Sequence, residues 1–245
     1  MKYVGIIPAR YASSRFPGKP LCDLLGKPMI QRVYESALEW QQWHHLCVAT
    51  DSRLIYDTCA ELSIPCTMTH SNHLDCIDRC YEAAINLQTE GVEGDRYIII
   101  QGDEPLFDAN TLDVDLTPEI VNFYTRVKIE SEINDPNCVK VVVSSKQKAI
   151  YFSRHSIPYS NKATSRGVRD NVCYKQLGVY SMSLDKLKTF HDLEPSFLEK
   201  SEGIGLLRLI DNDFDVSMRY AEHDSISIDT PEDMNRVLEI LRSPP

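Results

Sequence analysis

Short apolar runs alternate with amphipathic stretches along this chain. Tyr3, Val4, Gly5, Ile6 and Ile7 form a run that reads as a buried strand, followed by a loop rich in Gly, Ser and Pro over residues 8–20. Ile30, Val33, Ala37 and Leu38 recur at helical spacing and predict a helix over residues 29–40. A second strand is expected at residues 46–50, a helix at 52–62, a short strand at 66–68 and an amphipathic helix at 74–90. Residues 97–100 (Tyr-Ile-Ile-Ile) read as a strand covered on both faces, and they run straight into Gln101-Gly102-Asp103-Glu104-Pro105. Strand and helix alternating in this way predict an α/β fold with a mainly parallel, Rossmann-like sheet.

The alternation breaks between residues 139 and 205, which read as a subdomain inserted into one domain spanning residues 1–245. Residues 139–143 and 177–182 look like strands flanking a long polar loop over 154–170. Beyond the insertion, residues 225–228 are expected to form a strand. A helix follows to about residue 241, with Thr230 as its N-cap, Pro231 in its first turn and acidic residues at its positive end. Glu130-Ser131-Glu132 reads as a solvated loop, and Trp40 and Trp43 as packing at a helix end.

Bulk properties narrow the chemistry. Of the 245 residues 42% are hydrophobic and 25% charged, ordinary values for a globular enzyme, and the formal net charge is -10. A surface of that sign repels a phosphate backbone, so no nucleic-acid partner is expected. No run approaches the roughly 18 apolar residues of a membrane span, and the opening run is too short for a signal peptide. A cytoplasmic protein without membrane contact is expected. The eight cysteines form no CxxC pair. Cys76 and Cys80, with His70 and His73 close by, are the one candidate for a structural metal, but the better reading of all eight is as buried thiols acting as small hydrophobes. His44, His45, His155, His191 and His223 lack ligand spacing and read as surface or supporting residues.

The candidate chemistry lies at the ends of the predicted strands, where open α/β sheets bind ligands. The loop after the first strand carries Arg10, Arg15, Gly18 and Lys19, which supply the cations and exposed backbone N–H groups that a triphosphate needs. It is neither a Walker A loop nor a GxGxxG. Asp103 and Asp229 each follow an apolar run, and hard carboxylate oxygens placed there suit Mg²⁺. Alone, Asp229 is simply an acid beside a helix start; paired with Asp103 and the basic loop it reads as a metal ligand.

Five motifs in order, Pro8-Ala9-Arg10 through Pro17-Gly18-Lys19-Pro20, Gln101-Gly102-Asp103-Glu104-Pro105, Asp135-Pro136-Asn137 with Val139-Lys140-Val141-Val142, Tyr151-Phe152-Ser153-Arg154 with Ile157-Pro158, and Ile228-Asp229-Thr230-Pro231-Glu232-Asp233, resemble those of the CMP-Kdo synthetases. These are the 3-deoxy-manno-octulosonate cytidylyltransferases of lipopolysaccharide biosynthesis. The resemblance implies Mg²⁺-dependent, in-line attack by the anomeric hydroxyl of a 2-keto sugar acid on the α-phosphorus of CTP, releasing pyrophosphate without a covalent enzyme intermediate. It also implies a homodimer formed through the inserted region. By the same resemblance Arg10, Arg15 and Lys19 hold the triphosphate, Ala9 and Arg10 flank the base, and Ser14 and Arg79 complete the nucleotide site. Asp103 and Asp229 hold the metal and act in catalysis with Lys19, while Gln101, Arg154, Gln176 and Tyr180 belong to the sugar-acid site.

Three segments depart from the family pattern. Leu74-Asp75-Cys76-Ile77 precedes Asp78-Arg79 where the family has Ser-Gly-Thr, and resembles instead the spore-coat polysaccharide type of cytidylyltransferase. Gln176 stands where the family has His, and Gly205-Leu206 where it has Glu-Gln. Removing buried hydrogen-bonding groups costs about 1–3 kcal/mol each when their partners stay. The departures therefore leave three readings of the acceptor site open: rearranged contacts to Kdo, a related sugar acid or other small acid, or a non-catalytic nucleotide-binding homologue. Transfer to a sugar phosphate, or from another nucleotide, is disfavoured by the Pro-Ala-Arg loop.

Overall fold

A computed structural model describes residues 1–12, 16–159 and 173–243. The strands are β1 (Tyr3–Ala9), β2 (Trp43–Thr50), β3 (Cys66–Met68), β4 (Arg96–Ile100), β5 (Ile120–Arg126), β6 (Lys140–Val143), β7 (Ala149–Ser153), β8 (Tyr174–Met182) and β9 (Ser217–Tyr220). The helices are α1 (Met29–Leu38), α2 (Arg53–Glu61), α3 (Cys76–Thr89), α4 (Glu130–Asn134), α5 (Leu184–Asp192), α6 (Phe197–Glu202), α7 (Leu206–Asp211) and α8 (Pro231–Arg242). The chain divides into two compact units. The first comprises Met1–Glu119, Gly178–Asp192 and Ser225–Pro245, and the second Ile120–Leu177 and Leu193–Asp224.

In the first unit β3, β2, β1 and β4 lie side by side in that order, all parallel, and the end of β8 pairs antiparallel with β4, Ile99 opposite Tyr180. All five residues of β4 are buried, as expected of a strand covered on both faces. Gly5 lets β1 pass under the Trp43 ring, because a Cβ there would lie 2.8 Å from that ring and 2.4 Å from Leu46. Trp40 and Trp43 stack edge to face just beyond α1, with centroids 4.7 Å apart.

The second unit holds a β6–β7 hairpin, an antiparallel β6–β8 pairing through Lys140 and Lys175, and a parallel β5–β9 pair. Lys140 is fully buried, and its ammonium donates to the backbone carbonyls of Asp135, Cys138 and Arg154 at 2.6–2.8 Å. Three donors meet three acceptors, which is how a lone buried cation is accommodated. Arg208, also buried, forms a two-pronged ion pair with Glu199 at 2.6 and 2.7 Å.

Of the eight cysteines read as buried thiols, Cys47, Cys59, Cys80 and Cys173 are buried, while Cys22, Cys66, Cys76 and Cys138 are partly exposed. Two expectations about local structure also fail. Residues 225–228 form no strand, because the Ile228 N–H bonds the Asp103 carbonyl at 2.9 Å and the segment joins a turn rather than a ladder. Glu130-Ser131-Glu132 opens α4 instead of a solvated loop, and Glu132 is buried with its carboxylate 3.1 Å from the Lys175 ammonium. A buried cationic partner distant in sequence, which no local pattern shows, draws that carboxylate inward.

Candidate active site

Lys19 gathers residues from three distant parts of the first unit. The chain leaves β1 at Ala9 and returns through Gly18, whose φ of +73° favours glycine and whose N–H bonds the Tyr11 carbonyl at 3.0 Å. A one-turn 3-10 segment (Lys19–Leu21) begins there. The Lys19 ammonium donates to Asp103 Oδ2 at 2.8 Å and to Asp229 Oδ1 at 3.2 Å. All three side chains are largely sheltered, 12% exposed for Lys19, 21% for Asp103 and 20% for Asp229. Burial by itself lowers the Lys19 pKa, but the facing charges of Asp103 and Asp229 outweigh it and hold the ammonium above its ordinary value.

Each carboxylate is fixed by its own segment. Asp103 sits in the turn after β4, where Gly102 packs so tightly on β1 that a Cβ would come within 2.6 Å of the Pro8 carbonyl. Asp103 Oδ1 accepts a hydrogen bond from Ser227 Oγ at 3.3 Å. Asp229 precedes α8, whose start is a capping box. Thr230 Oγ1 accepts from the Asp233 N–H, and Asp233 Oδ2 accepts from the N–H groups of Thr230 and Asp229 at 2.9 and 3.1 Å.

The other expected site residues are placed as follows. Ala9 is buried at the end of β1 and Arg10 is exposed beside it, while Ser14 and Arg15 lie outside the described residues. Gln101 Nε2 donates to the Tyr180 hydroxyl at 2.9 Å, joining the turn after β4 to β8. Burial, together with the nearby Cys76 and Asp75, pushes the Tyr180 phenol well above its usual value. Arg79 is buried on α3, and its guanidinium serves Asp51 at 2.9 Å, the Thr69 hydroxyl at 2.5 Å and the His70 carbonyl at 3.3 Å. In the second unit the Arg154 guanidinium donates to the carbonyls of Glu202, Pro136 and Gly203 at 2.6–3.2 Å, and the Gln176 N–H bonds the Val139 carbonyl.

Direct contact thus unites Lys19, Asp103 and Asp229, and separately Gln101 with Tyr180. Arg79 and Arg154 are engaged with protein groups of their own surroundings. Sequence reasoning counted Asp233 among the acids at the helix start without reading it as the capping-box partner of Thr230, though an acid three residues after the N-cap is that signature. It also missed Ser227, for which no local signal exists. Asp75, one of the departures, caps α3 by accepting the Ile77 N–H at 2.7 Å. His73 pairs with Glu82, and His191 Nδ1 lies 3.2 Å from Asp78 Oδ1. Among the described residues no group of three or more His, Cys, Asp or Glu side chains is arranged to hold a metal, and no helix is long and apolar enough to cross a membrane.

Comparison with known proteins adds an independent line. A family described as "Cytidylyltransferase" matches residues 4–216. The 3-deoxy-manno-octulosonate cytidylyltransferase of Parabacteroides distasonis is 39% identical, the alignment covering 98% of each chain. That of Lawsonia intracellularis is also 39% identical, over 98% of this chain and 94% of its own. A solved CMP:2-keto-3-deoxy-manno-octonic acid synthetase, complexed with CTP, superposes with a TM-score of 0.85 at 32% identity, covering 99% of both chains. The chain belongs to the cytidylyltransferase family, within it to the 3-deoxy-manno-octulosonate cytidylyltransferases, and is a nucleotidyltransferase enzyme.

Proposed function

We propose that this enzyme transfers CMP from CTP to Kdo or a closely related 2-keto-3-deoxy sugar acid and releases pyrophosphate. The observation that carries the reading is the meeting of Lys19, Asp103 and Asp229 at one point from three distant segments. Two carboxylates and an ammonium are brought together here from segments far apart in the chain. They match the demand of a triphosphate, which requires positive charge on its oxygens and a divalent cation.

The donor set fits that cation. Asp103 and Asp229 offer hard oxygens from two fixed segments and would hold the ion, one or two carboxylates being the usual protein share for Mg²⁺. Bound there, Mg²⁺ would supply charge stabilisation at the α-phosphate and the departing pyrophosphate. Lys19 moves its ammonium from the two carboxylates to the phosphates, and Arg10 and Arg15 of the same loop offset further negative charge. Ala9 lines the base, with Ser14 and Arg79 assigned to the nucleotide site. The acceptor's anomeric hydroxyl oxygen forms the bond to the α-phosphorus as the bond to the pyrophosphate oxygen breaks. Gln101 and Tyr180, already bonded to each other, are assigned to that acceptor. Residues 139–205 act as a subdomain for sugar binding and dimerisation within a single nucleotidyltransferase domain, and the enzyme is a cytoplasmic homodimer. Eight free thiols suit a reducing compartment.

A relative of Kdo as acceptor is the second reading, and one observation in the second unit bears on it. At the Gly205-Leu206 departure, Leu206 and the following Leu207 are buried apolar side chains, so no polar group is presented there. The test is pyrophosphate release with Mg²⁺, each of the four nucleoside triphosphates, and Kdo beside a panel of other sugar acids. Release with CTP and Kdo is the expected outcome. Release with CTP and another acid alone moves the assignment to the relative, and no release with any pair overturns it.

A further inference from the structure

Glu104 follows Asp103 in the turn after β4 and is only 5% exposed. Its Oε1 accepts the Gly178 N–H of β8 at 2.9 Å. The fit leaves no room for a side chain on the strand, because a Cβ at Gly178 would stand 2.4 Å from that oxygen and 3.0 Å from Gln101. The same short turn is tied at other points. The Gln101 N–H bonds the Gly178 carbonyl at 2.9 Å, the Glu104 N–H bonds the Gln101 carbonyl at 3.2 Å, and Gln101 Nε2 reaches the Tyr180 hydroxyl. On its opposite side the Asp103 carbonyl receives the Ile228 N–H, one residue before Asp229. Asp103 therefore hangs between two anchors: β8, gripped by Glu104, and the segment that delivers the second carboxylate.

We propose that Glu104 is a positioning residue for nucleotidyl transfer, acting by hydrogen-bonding Gly178 so that the Asp103 carboxylate is held at the distance from Asp229 that a shared divalent cation requires. This rests on the assignment of Asp103 and Asp229 as metal ligands. Glu104 touches neither substrate nor metal in this scheme. What it contributes is the acceptor oxygen for Gly178, which a glutamine can also supply and a methionine of similar length cannot.

Glu104→Met, Glu104→Gln and Asp103→Asn are compared with the unaltered chain. The readouts are Mn²⁺ binding in the presence of CTP, followed by electron paramagnetic resonance, the split between kcat and the KM for CTP with Kdo and Mg²⁺, and hydrogen exchange at the Gly178 amide. Glu104→Met is expected to weaken Mn²⁺ binding severalfold, to lower kcat by about tenfold or more with KM little changed, as a small misplacement of a reacting group does, and to speed Gly178 exchange. Glu104→Gln is expected to keep most of all three. Equal losses in the Met and Gln variants overturn the proposal, since they assign the effect to charge rather than to the grip on Gly178; wild-type behaviour of Glu104→Met does so as well. Should Glu104→Met fail to fold, Glu104→Asp, which withdraws the carboxylate by one methylene, carries the same expected losses. Asp103→Asn with undiminished Mn²⁺ binding and turnover overturns the metal assignment and Glu104's part with it. Absence of turnover with Kdo in the unaltered chain counts against the acceptor alone, and the Mn²⁺ measurement still decides for or against Glu104.

Discussion

A lysine ammonium at 2.8 and 3.2 Å from two carboxylates settles much of the local electrostatics around Lys19. Because its pKa is raised on folding, the stability it contributes is fully present below the ordinary lysine value of 10.5 and is lost as pH rises through the higher folded value. Thermal unfolding of the unaltered chain and of Lys19→Met should therefore differ by a constant amount at neutral pH and converge only at strongly alkaline pH. Convergence already near neutrality is incompatible with the ion triad. For Asp229 the expectation concerns chemistry. Asp229→Asn keeps the shape but halves the carboxylate charge available to a divalent cation, so pyrophosphate release should fall by about a hundredfold or more. Turnover within a few-fold of the unaltered chain sinks the metal role.

At the scale of elements, the start of α8 couples stability to the site. Asp233 Oδ2 holds the N–H groups of both Asp229 and Thr230, and Thr230 Oγ1 returns a bond to the Asp233 N–H. Thr230→Ala should cost about 1 kcal/mol in urea unfolding, the usual worth of an N-cap. Because the cap also orients Asp229, kcat should fall with it, and a stability loss without any kinetic change separates the two roles. The sequence announces this element in full: Thr230 before Pro231, acids in the first turn, and apolar spacing beyond. It announces β4 and its polar turn equally well. The strand expected at residues 225–228 is absent for a reason of another kind. Ile228 finds its backbone partner at Asp103, more than a hundred residues away, and a single bond to a turn replaces the ladder.

For the molecule as a whole, the formal charge of -10 makes the cationic loop after β1 exceptional, and under the proposed function that loop would direct a polyanionic substrate to one place. Beyond the single chain, sedimentation equilibrium should give twice the chain mass if the proposed homodimer exists, and a persistent monomer at micromolar concentration rules it out. Ile150 and Phe197 of the second unit are 55% and 78% exposed, apolar surface of the kind that such a contact covers. The inserted region read over residues 139–205 corresponds only in part to the second compact unit, which begins at Ile120, excludes Gly178–Asp192 and resumes at Leu193. The strand β8 carries the chain from one unit to the other.

Local pattern determined the α/β class, the order of β1 to β4 with their helices, the cap of α8, and the candidacy of Lys19, Asp103 and Asp229. These depend on periodicity, caps and strand ends, all written within a few consecutive residues. Tertiary structure alone decided which charges meet. It gave Arg79 to Asp51 and Thr69, Arg154 to three backbone carbonyls, Glu132 to Lys175 and Glu104 to Gly178. Each of these side chains has a long reach and a charge to satisfy, and its partner is chosen by which backbone or ion lies within about 3 Å after folding. Most of these choices are set by pairings between segments far apart in the chain, and even Arg79 and Thr69, ten residues apart, meet only because a strand end and a helix are packed together.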